Sequence, residues 1–224
     1  RLKTMNKLFP LPVHPFNEGD YGLWQFEKGA MTLQNYAQFE SVANMLSGKQ
    51  VLDVGCGAGG KSLYYASMGA EKVTGIDIIE KYKIQAENLA QRLQIENAAF
   101  HIRDACETGF TDESFDTIIM NDSMEHIQFP AKVLLEMKRI LKPYGRLYIN
   151  FPPYNHPYGA HLSDVIGIPW VHLFFSDDTL IQVYKELVAK LPDGSDRVNL
   201  RISTARDGKE YFSYINHMTI CLLY

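Results

Sequence analysis

Val51-Leu52-Asp53-Val54-Gly55-Cys56-Gly57-Ala58-Gly59-Gly60, followed by Gly75-Ile76-Asp77, is the stretch whose reading decides the fold. Residues 51–54 are apolar apart from Asp53, as expected of a central parallel strand buried on both faces. The glycines that follow allow a tight turn and a close approach of backbone to a ligand. Residues 61–68 then read as a short helix with Gly69 at its end. Residues 72–78 read as a second strand, with Asp77 near its close. Strand, glycine turn, helix, strand and carboxylate together form a βαβ unit of the nucleotide-binding kind.

The alternation continues outward. Tyr82, Ala86, Leu89 and Leu93 mark one face of a helix. Residues 98–102 and 115–120 read as strands three and four, and residues 131–141 as an amphipathic helix. A Pro143-Tyr144-Gly145 turn leads into strand five at 146–151. Upstream, Tyr36, Phe39, Val42, Ala43 and Leu46 recur at helical spacing, so residues 31–46 are expected to form one helix that ends at Gly48. Residues 1–30 are rich in proline, glycine and aromatics and are expected to form an irregular arm or lid. Beyond Pro152 the pattern breaks into an insertion, 152–176. A helix capped by Ser176 then runs to about Leu191. Two strands at about 198–203 and 211–223, turning at Asp207-Gly208, finish the chain. The expected class is α/β, with a parallel sheet covered on both faces. The expected organisation is one domain over 1–224: arm and helix 1–48, core 50–151, insertion 152–176, and C-terminal helix and strand pair 177–224.

The chain has 224 residues, a net charge of −4 and 46% hydrophobic residues, which suits one globular domain with a large core. The slight acidity offers no global field for a phosphate backbone, so nucleic acid is not an expected partner. Cys56, Cys106 and Cys221 are far apart with no C-x-x-C pair, which suggests neither a zinc knuckle nor a disulfide framework. A reducing cytoplasm is the expected compartment. No apolar run is long enough to span a bilayer, and no signal-peptide pattern opens the chain. It begins at Arg1 without a methionine, which leaves open a trimmed chain or a piece of a longer one. The oligomeric state cannot be read from the sequence.

Glycine spacing alone leaves the cofactor ambiguous. Gly55-x-Gly57-x-x-Gly60 satisfies the dinucleotide fingerprint, with Asp77 at about the distance expected for a ribose contact. Gly55-x-Gly57-x-Gly59 satisfies a looser pattern. The surroundings separate the two. Asp53 stands two residues before Gly55, where a carboxylate repels a pyrophosphate but favours a ligand carrying a sulfonium and an ammonium. Arg103-Asp104-Ala105 ends strand three, Phe115-Asp116-Thr117-Ile118-Ile119 begins strand four, and Met124-Glu125-His126-Ile127 follows it. Leu141-Lys142-Pro143-Tyr144-Gly145-Arg146-Leu147 leads into strand five.

From about Gln50 to Phe151 this ordered set resembles the class I S-adenosylmethionine-dependent methyltransferases. The resemblance implies a Rossmann-like, doubly wound, seven-stranded sheet with the last strand antiparallel. It implies S-adenosylmethionine as cofactor, with Gly55, Gly57 and Gly59 cradling the methionine part and Asp53 turned towards its amino group. Asp77 with Ile78 would meet the ribose, Asp104 and Ala105 would bracket the adenine, and Asn121 would sit near the methionine end. Tyr144 departs from the family, which usually has glycine there.

The acceptor side is sought after strands four and five, since ligands of open α/β sheets sit beyond the carboxyl ends of the strands. His126 is a candidate general base, or else it only shapes a helix start. The insertion carries Tyr154, His156, His161, Asp164, Trp170 and His172. His156 and His161 join His126 as candidate catalytic groups. His156, His161, Asp164 and His172 are candidate ligands of a divalent metal, although their spacing matches no named motif. Tyr154, His161, Trp170 and His172, with Tyr21 and Trp24 of the arm, are candidates for lining a small-molecule acceptor site. Tyr21 and Trp24 equally suit stapling the arm to the sheet. Lys61 and Arg103 read as solvated flanking charges, and His14, His101 and His217 receive no role. The expected function is methyl transfer to a small molecule held under the insertion. The alternatives are a metal-assisted C- or O-methyltransferase, a protein methyltransferase, or a silent methyltransferase-like module.

Overall fold

The computed structural model describes residues 1–11 and 20–219. Part of the arm with His14, and the end of the last expected strand with Cys221, lie outside the described residues. In chain order the elements are α1 (Leu2–Asn6), α2 (Tyr21–Glu27), α3 (Gly29–Ala37), α4 (Val42–Leu46), β1 (Gln50–Val54), α5 (Gly60–Ser67), β2 (Lys72–Asp77) and α6 (Glu80–Leu93). They continue as β3 (Ala98–Ile102), β4 (Phe115–Asn121), a 3-10 turn (Met124–His126), α7 (Pro130–Ile140) and β5 (Leu141–Asn150). The last are α8 (Val171–Phe174), α9 (Asp177–Val188), α10 (Gly194–Arg201), β6 (Ile202–Thr204) and β7 (Glu210–Phe212).

The chain folds as two compact units. The cofactor-side unit is Gly19–Met124 with Phe129–Phe151, and the insertion-side unit is Arg1–Glu18, Glu125–Gln128 and Pro152–Tyr224. The cofactor-side unit is a Rossmann-like α/β fold around a parallel sheet of order β3-β2-β1-β4-β5. The order reverses between β1 and β4, the switch point at which such sheets bind ligands. After its first residue β1 is buried throughout, as its apolar run requires. Leu33, Tyr36, Met45 and Leu46 of α3 and α4 pack with Val51, Tyr65, Val73 and Ile119 in one core cluster. Cys56, Leu63, Ala86, Leu89 and Phe100 form another.

Several expectations need correction. The helix expected over 31–46 is two helices, because Ser41 caps α4 by accepting from the Asn44 N–H at 3.2 Å. The arm is not irregular where it is described, since α1 and α2 lie in it. The Pro143-Tyr144-Gly145 turn is an irregularity inside β5: Phe115 pairs with Leu141, but Thr117 pairs with Arg146. Tyr144 there adopts φ +66° and is fully exposed, the backbone that a glycine takes without strain. Among the described residues this sheet has five strands.

In the insertion-side unit, residues 198–201 are helical and not extended. The short strands β6 and β7 pair antiparallel as a two-stranded ribbon. The apolar core here gathers Leu2, Leu162, Ile166, Ile168 and Val171 with Leu180, Ile181, Tyr184 and Val188 of α9. A buried polar group lies in the same unit. Arg197, 1% exposed, pairs with Asp164 at 3.0 Å and with Asp193 at 2.9 Å.

Candidate functional site

The loop after β1 is held open for a ligand at one glycine. Gly55, Gly57 and Gly59 all have left-handed backbone, at φ +74°, +52° and +78°. A Cβ on Gly55 would lie 2.7 Å from Ser123 Cβ, and one on Gly59 2.4 Å from Ala86 Cβ, so both are closed by packing. At Gly57 the nearest atom would be Gln25 Nε2 at 4.0 Å, so the missing side chain leaves space there. The Gly55 and Cys56 N–H groups both donate to the Ile76 carbonyl, at 2.9 and 3.1 Å. The Gly57 N–H donates to Asp77 Oδ2 at 3.0 Å, and the Ile79 N–H donates to Asp77 Oδ1 at 3.0 Å. Asp77, read from the sequence as a ribose partner, therefore also ties the loops after β1 and β2 together. Each oxygen retains a further lone pair for a ligand hydroxyl.

Asp53 is 3% exposed, and its Oδ2 accepts from the Ser62 hydroxyl at 2.6 Å. Burial outweighs that hydrogen bond and the Lys61 charge, and pushes the carboxyl up to about 6. Asp104 ends the β3 segment, exposed, with Oδ1 accepting from the Cys106 N–H at 2.8 Å. Ile78 is exposed and Ala105 half-buried.

Asn121, at the end of β4, belongs to a network that the sequence reading missed. Its Oδ1 accepts from the Tyr36 hydroxyl at 3.1 Å and from Asn150 Nδ2 at 3.3 Å, and its Nδ2 donates to Asp122 Oδ2 at 2.6 Å. Lys61 Nζ donates to the same Asp122 oxygen at 3.0 Å. Lys61 is thus a paired group with its side chain 18% exposed, not a solvated flank. Arg103 is also engaged: it donates to the Thr108 carbonyl and lies 4.3 Å over the Phe110 ring. Burial, with the Asp53 and Asp122 charges, pushes the Tyr36 phenol up, so it donates throughout the ordinary pH range. The Asn121-Asp122 pair directly after strand four was the available signal. Tyr36 carried none, because its helical spacing suited a core residue.

Tyr21 and Trp24 stack with centroids 5.9 Å apart on the outer part of α2. That helix is seated against the start of α5, where a Cβ on Gly60 would lie 2.0 Å from the Gly22 carbonyl oxygen. α2 is therefore held to α5 through Gly22 and not through its two aromatics, which stay about half exposed, Tyr21 at 48% and Trp24 at 54%.

The residues present suit S-adenosylmethionine. Asp53, Asp77, Asp104 and Asp122 stand at or just past the carboxyl ends of β1 to β4. That set repels a pyrophosphate and favours a ligand with two cationic groups and two ribose hydroxyls. The open face at Gly57 admits such a ligand to the loop backbone.

Residues 46–173 match the family described as methyltransferase domain. The chain belongs to that family. It is 30% identical over 131 residues to the 27-O-demethylrifamycin SV methyltransferase of Amycolatopsis mediterranei (strain S699), covering 57% of this chain and 48% of that one. It is 33% identical over 165 residues to a ubiquinone biosynthesis O-methyltransferase of Actinobacillus pleuropneumoniae serotype 7 (strain AP76), covering 71% of this chain and 68% of that one. The solved PH0226 protein of Pyrococcus horikoshii OT3 superposes with a TM-score of 0.51 at 27% identity, over 71% of this chain and 68% of that one. The chain thus spans about half the length of the rifamycin relative. The resemblance to class I S-adenosylmethionine-dependent methyltransferases, drawn from Asp53, the glycines, Asp77 and Asp104, holds.

In the insertion-side unit of this methyltransferase-domain chain, the four expected metal ligands do not come together. Asp164 is taken up by Arg197, by Arg201 at 3.4 Å and by the Tyr184 hydroxyl at 2.9 Å. His172 is buried, with Nε2 2.7 Å from the Tyr154 carbonyl, and desolvation pulls its pKa down. His156 is exposed and accepts from the Tyr158 N–H at 3.3 Å. Trp170 donates its indole N–H to the Asn155 carbonyl at 3.2 Å, and Tyr154 is stacked on His217 at 4.1 Å. Only His161 of the four joins a cluster, and its companions are His126 and Glu125. The His126 and His161 rings are 5.2 Å apart, edge to face.

Proposed function

We propose that the chain is an S-adenosylmethionine-dependent methyltransferase acting on an oxygen of a small molecule. The observation that carries this is the carboxylate-lined glycine loop, with Asp77 tying Gly57 in place beside an open backbone face. The oxygen acceptor rests on the relatives, one named for methylation of 27-O-demethylrifamycin SV and one for O-methylation in ubiquinone biosynthesis. Bound S-adenosylmethionine supplies an electrophilic methyl group on sulfur. The chain's task is to align an acceptor oxygen with it, exclude water and receive the acceptor's proton. The open backbone face at Gly57 and the carboxylates of Asp53, Asp77 and Asp104 hold and orient the donor. In the insertion-side unit, His126 and His161 are the groups proposed to take the hydroxyl proton. In the insertion-side unit, Tyr154, Trp170 and the rest of 152–176 are proposed to cover the acceptor; in the cofactor-side unit, Tyr21 and Trp24 are proposed to cover the donor.

The two units are proposed to serve one methyltransferase domain, with the seven-stranded sheet of the wider family. A cytoplasmic setting and a metabolite acceptor, not nucleic acid, belong to the same proposal. Among the described residues no helix is long and apolar enough to cross a membrane.

The test is transfer of labelled methyl from S-adenosylmethionine to a metabolite extract, a protein fraction and an RNA fraction. Label entering small molecules is expected. Label confined to protein or RNA, or calorimetric binding of NAD with none of S-adenosylmethionine, would overturn the reading.

A further inference from the structure

Glu125, His126 and His161 reach one place in the insertion-side unit from two separate segments. Each offers one ligand atom, and the three atoms lie within 4.8 Å of one another. Glu125 is 3% exposed. Its Oε1 is 3.8 Å from His126 Nε2 and 3.9 Å from His161 Nε2, both longer than a hydrogen bond. Ligand bonds to a first-row divalent ion of about 2.0–2.2 Å put two ligand atoms of a tetrahedral site about 3.3–3.6 Å apart. The two measured separations are a few tenths of an ångström longer. The remaining pair lies within 4.8 Å, and rotation of the imidazoles brings all three atoms onto one ion.

Two further observations concern orientation. His126 Nδ1 is 2.7 Å from the Tyr214 carbonyl. A carbonyl only accepts, so Nδ1 carries the proton and Nε2 presents its lone pair on the side of Glu125. This is the arrangement that fixes the tautomer of a metal-ligating histidine. His161 has φ +51°, and Arg201 Nε donates to its carbonyl at 3.1 Å. A non-glycine residue held in that region costs about 1–3 kcal/mol and persists where the surroundings fix it for a purpose. The Tyr214 ring, 4.2 Å from His126, forms one wall.

We propose that Glu125, His126 and His161 bind a divalent first-row transition metal through one carboxylate and two imidazoles. Imidazole donors favour zinc, iron or nickel over magnesium and calcium. Three protein ligands leave coordination positions for water or a substrate oxygen. This site differs from the ligand set that the sequence suggested. With metal bound, His126 and His161 act as ligands in place of the proton-accepting role proposed above, and the site stands whether or not the methyl-transfer reading does.

Tag-free protein, stripped with chelator and dialysed, is titrated with Co(II) chloride and then back-titrated with Zn(II) chloride. Expected are one equivalent of Co(II) with visible absorption, its displacement by Zn(II), and a thermal midpoint that rises with Zn(II). His161→Ala and Glu125→Gln should each weaken binding by at least about 100-fold, while His156→Ala should leave it unchanged. Circular dichroism checks that each variant folds, and His161→Gln replaces any variant that does not. A folded wild-type chain with no saturable Co(II) spectrum overturns the proposal. So does a folded His161 variant that binds Co(II) as tightly as the wild type.

Discussion

Asp53→Asn should stabilise this chain while weakening its hold on the cofactor. Asp53 is buried in β1, and its carboxyl is raised from 3.8 to about 6, with burial as the largest cause. At about 1.36 kcal/mol per pKa unit, that rise is worth about 3 kcal/mol. A folded-state pKa above the unfolded one means the native chain binds the proton more tightly. The associated stability is fully present below pH 3.8 and is lost as pH rises through about 6. Asparagine carries no charge to desolvate, and its amide oxygen can still accept from the Ser62 hydroxyl. The difference between variant and wild type should therefore be near zero at about pH 4, grow between about pH 4 and 7, and level at about 3 kcal/mol. For a chain of this length that is a rise of roughly 6–12 °C in Tm at pH 8. Urea melts across that range measure it directly, because taking the difference cancels the other titrating groups. A gain independent of pH, or none at pH 8, would refute the burial argument. The same variant should bind S-adenosylmethionine about tenfold or more weakly, since a charge-assisted contact with the amino group becomes a neutral one.

Asp77→Ala removes the acceptor of the Gly57 and Ile79 N–H groups. It should cost about 2–3 kcal/mol and weaken cofactor binding by roughly 100-fold; calorimetry that finds wild-type affinity would remove Asp77 from the ribose site. Gly59→Ala puts a Cβ 2.4 Å from that of Ala86 at φ +78°. A loss of about 2–4 kcal/mol should appear in denaturant melts, and an unchanged midpoint would show that the loop can move. Arg197→Ala removes the buried guanidinium that Asp164 and Asp193 share in the insertion-side unit. It should cost about 3–5 kcal/mol, with proteolysis beginning in residues 152–219; a loss under about 1 kcal/mol would mean that the ion pairs do not hold this unit together.

The parallel sheet was legible because its strands have a local signature. The apolar runs at 51–54 and 115–120, with glycine or a carboxylate at their ends, dictate burial on both faces whatever lies around them. The helix break at Ser41 was less so, because the apolar spacing from Tyr36 to Leu46 continues straight through a capping serine. The start of the first of the two final strands was misplaced for a different reason. Residues 198–201 join helix α10, where Arg197 and Arg201 meet Asp164, a partner more than thirty positions upstream. The histidines fared likewise. Their number in the insertion was visible, but which of them converge depends on long-range contacts. His172 turns to the Tyr154 carbonyl, while His161 meets His126 and Glu125 across an interval that no spacing rule spans.

Glycine spacing cannot distinguish a dinucleotide from S-adenosylmethionine, since both need backbone brought close to a ligand. What distinguishes them is how the loop is held. A pyrophosphate site needs its loop N–H groups unclaimed and aimed at the anion. Here the Gly57 N–H is already taken by Asp77, and those of Gly55 and Cys56 by the Ile76 carbonyl. With these donors spent inside the protein and carboxylates at the strand ends, little remains to bind two phosphates and much to bind a cation. The buried Asp53 adds to this. Its carboxyl is raised by burial although a neutral hydroxyl donates to it, so a positive ligand group nearby would lower the cost of ionising it. That reciprocal gain is available to a sulfonium or ammonium and not to a phosphate. On this reasoning the charge arrangement around the loop, more than the glycines in it, is proposed to select the methyl donor.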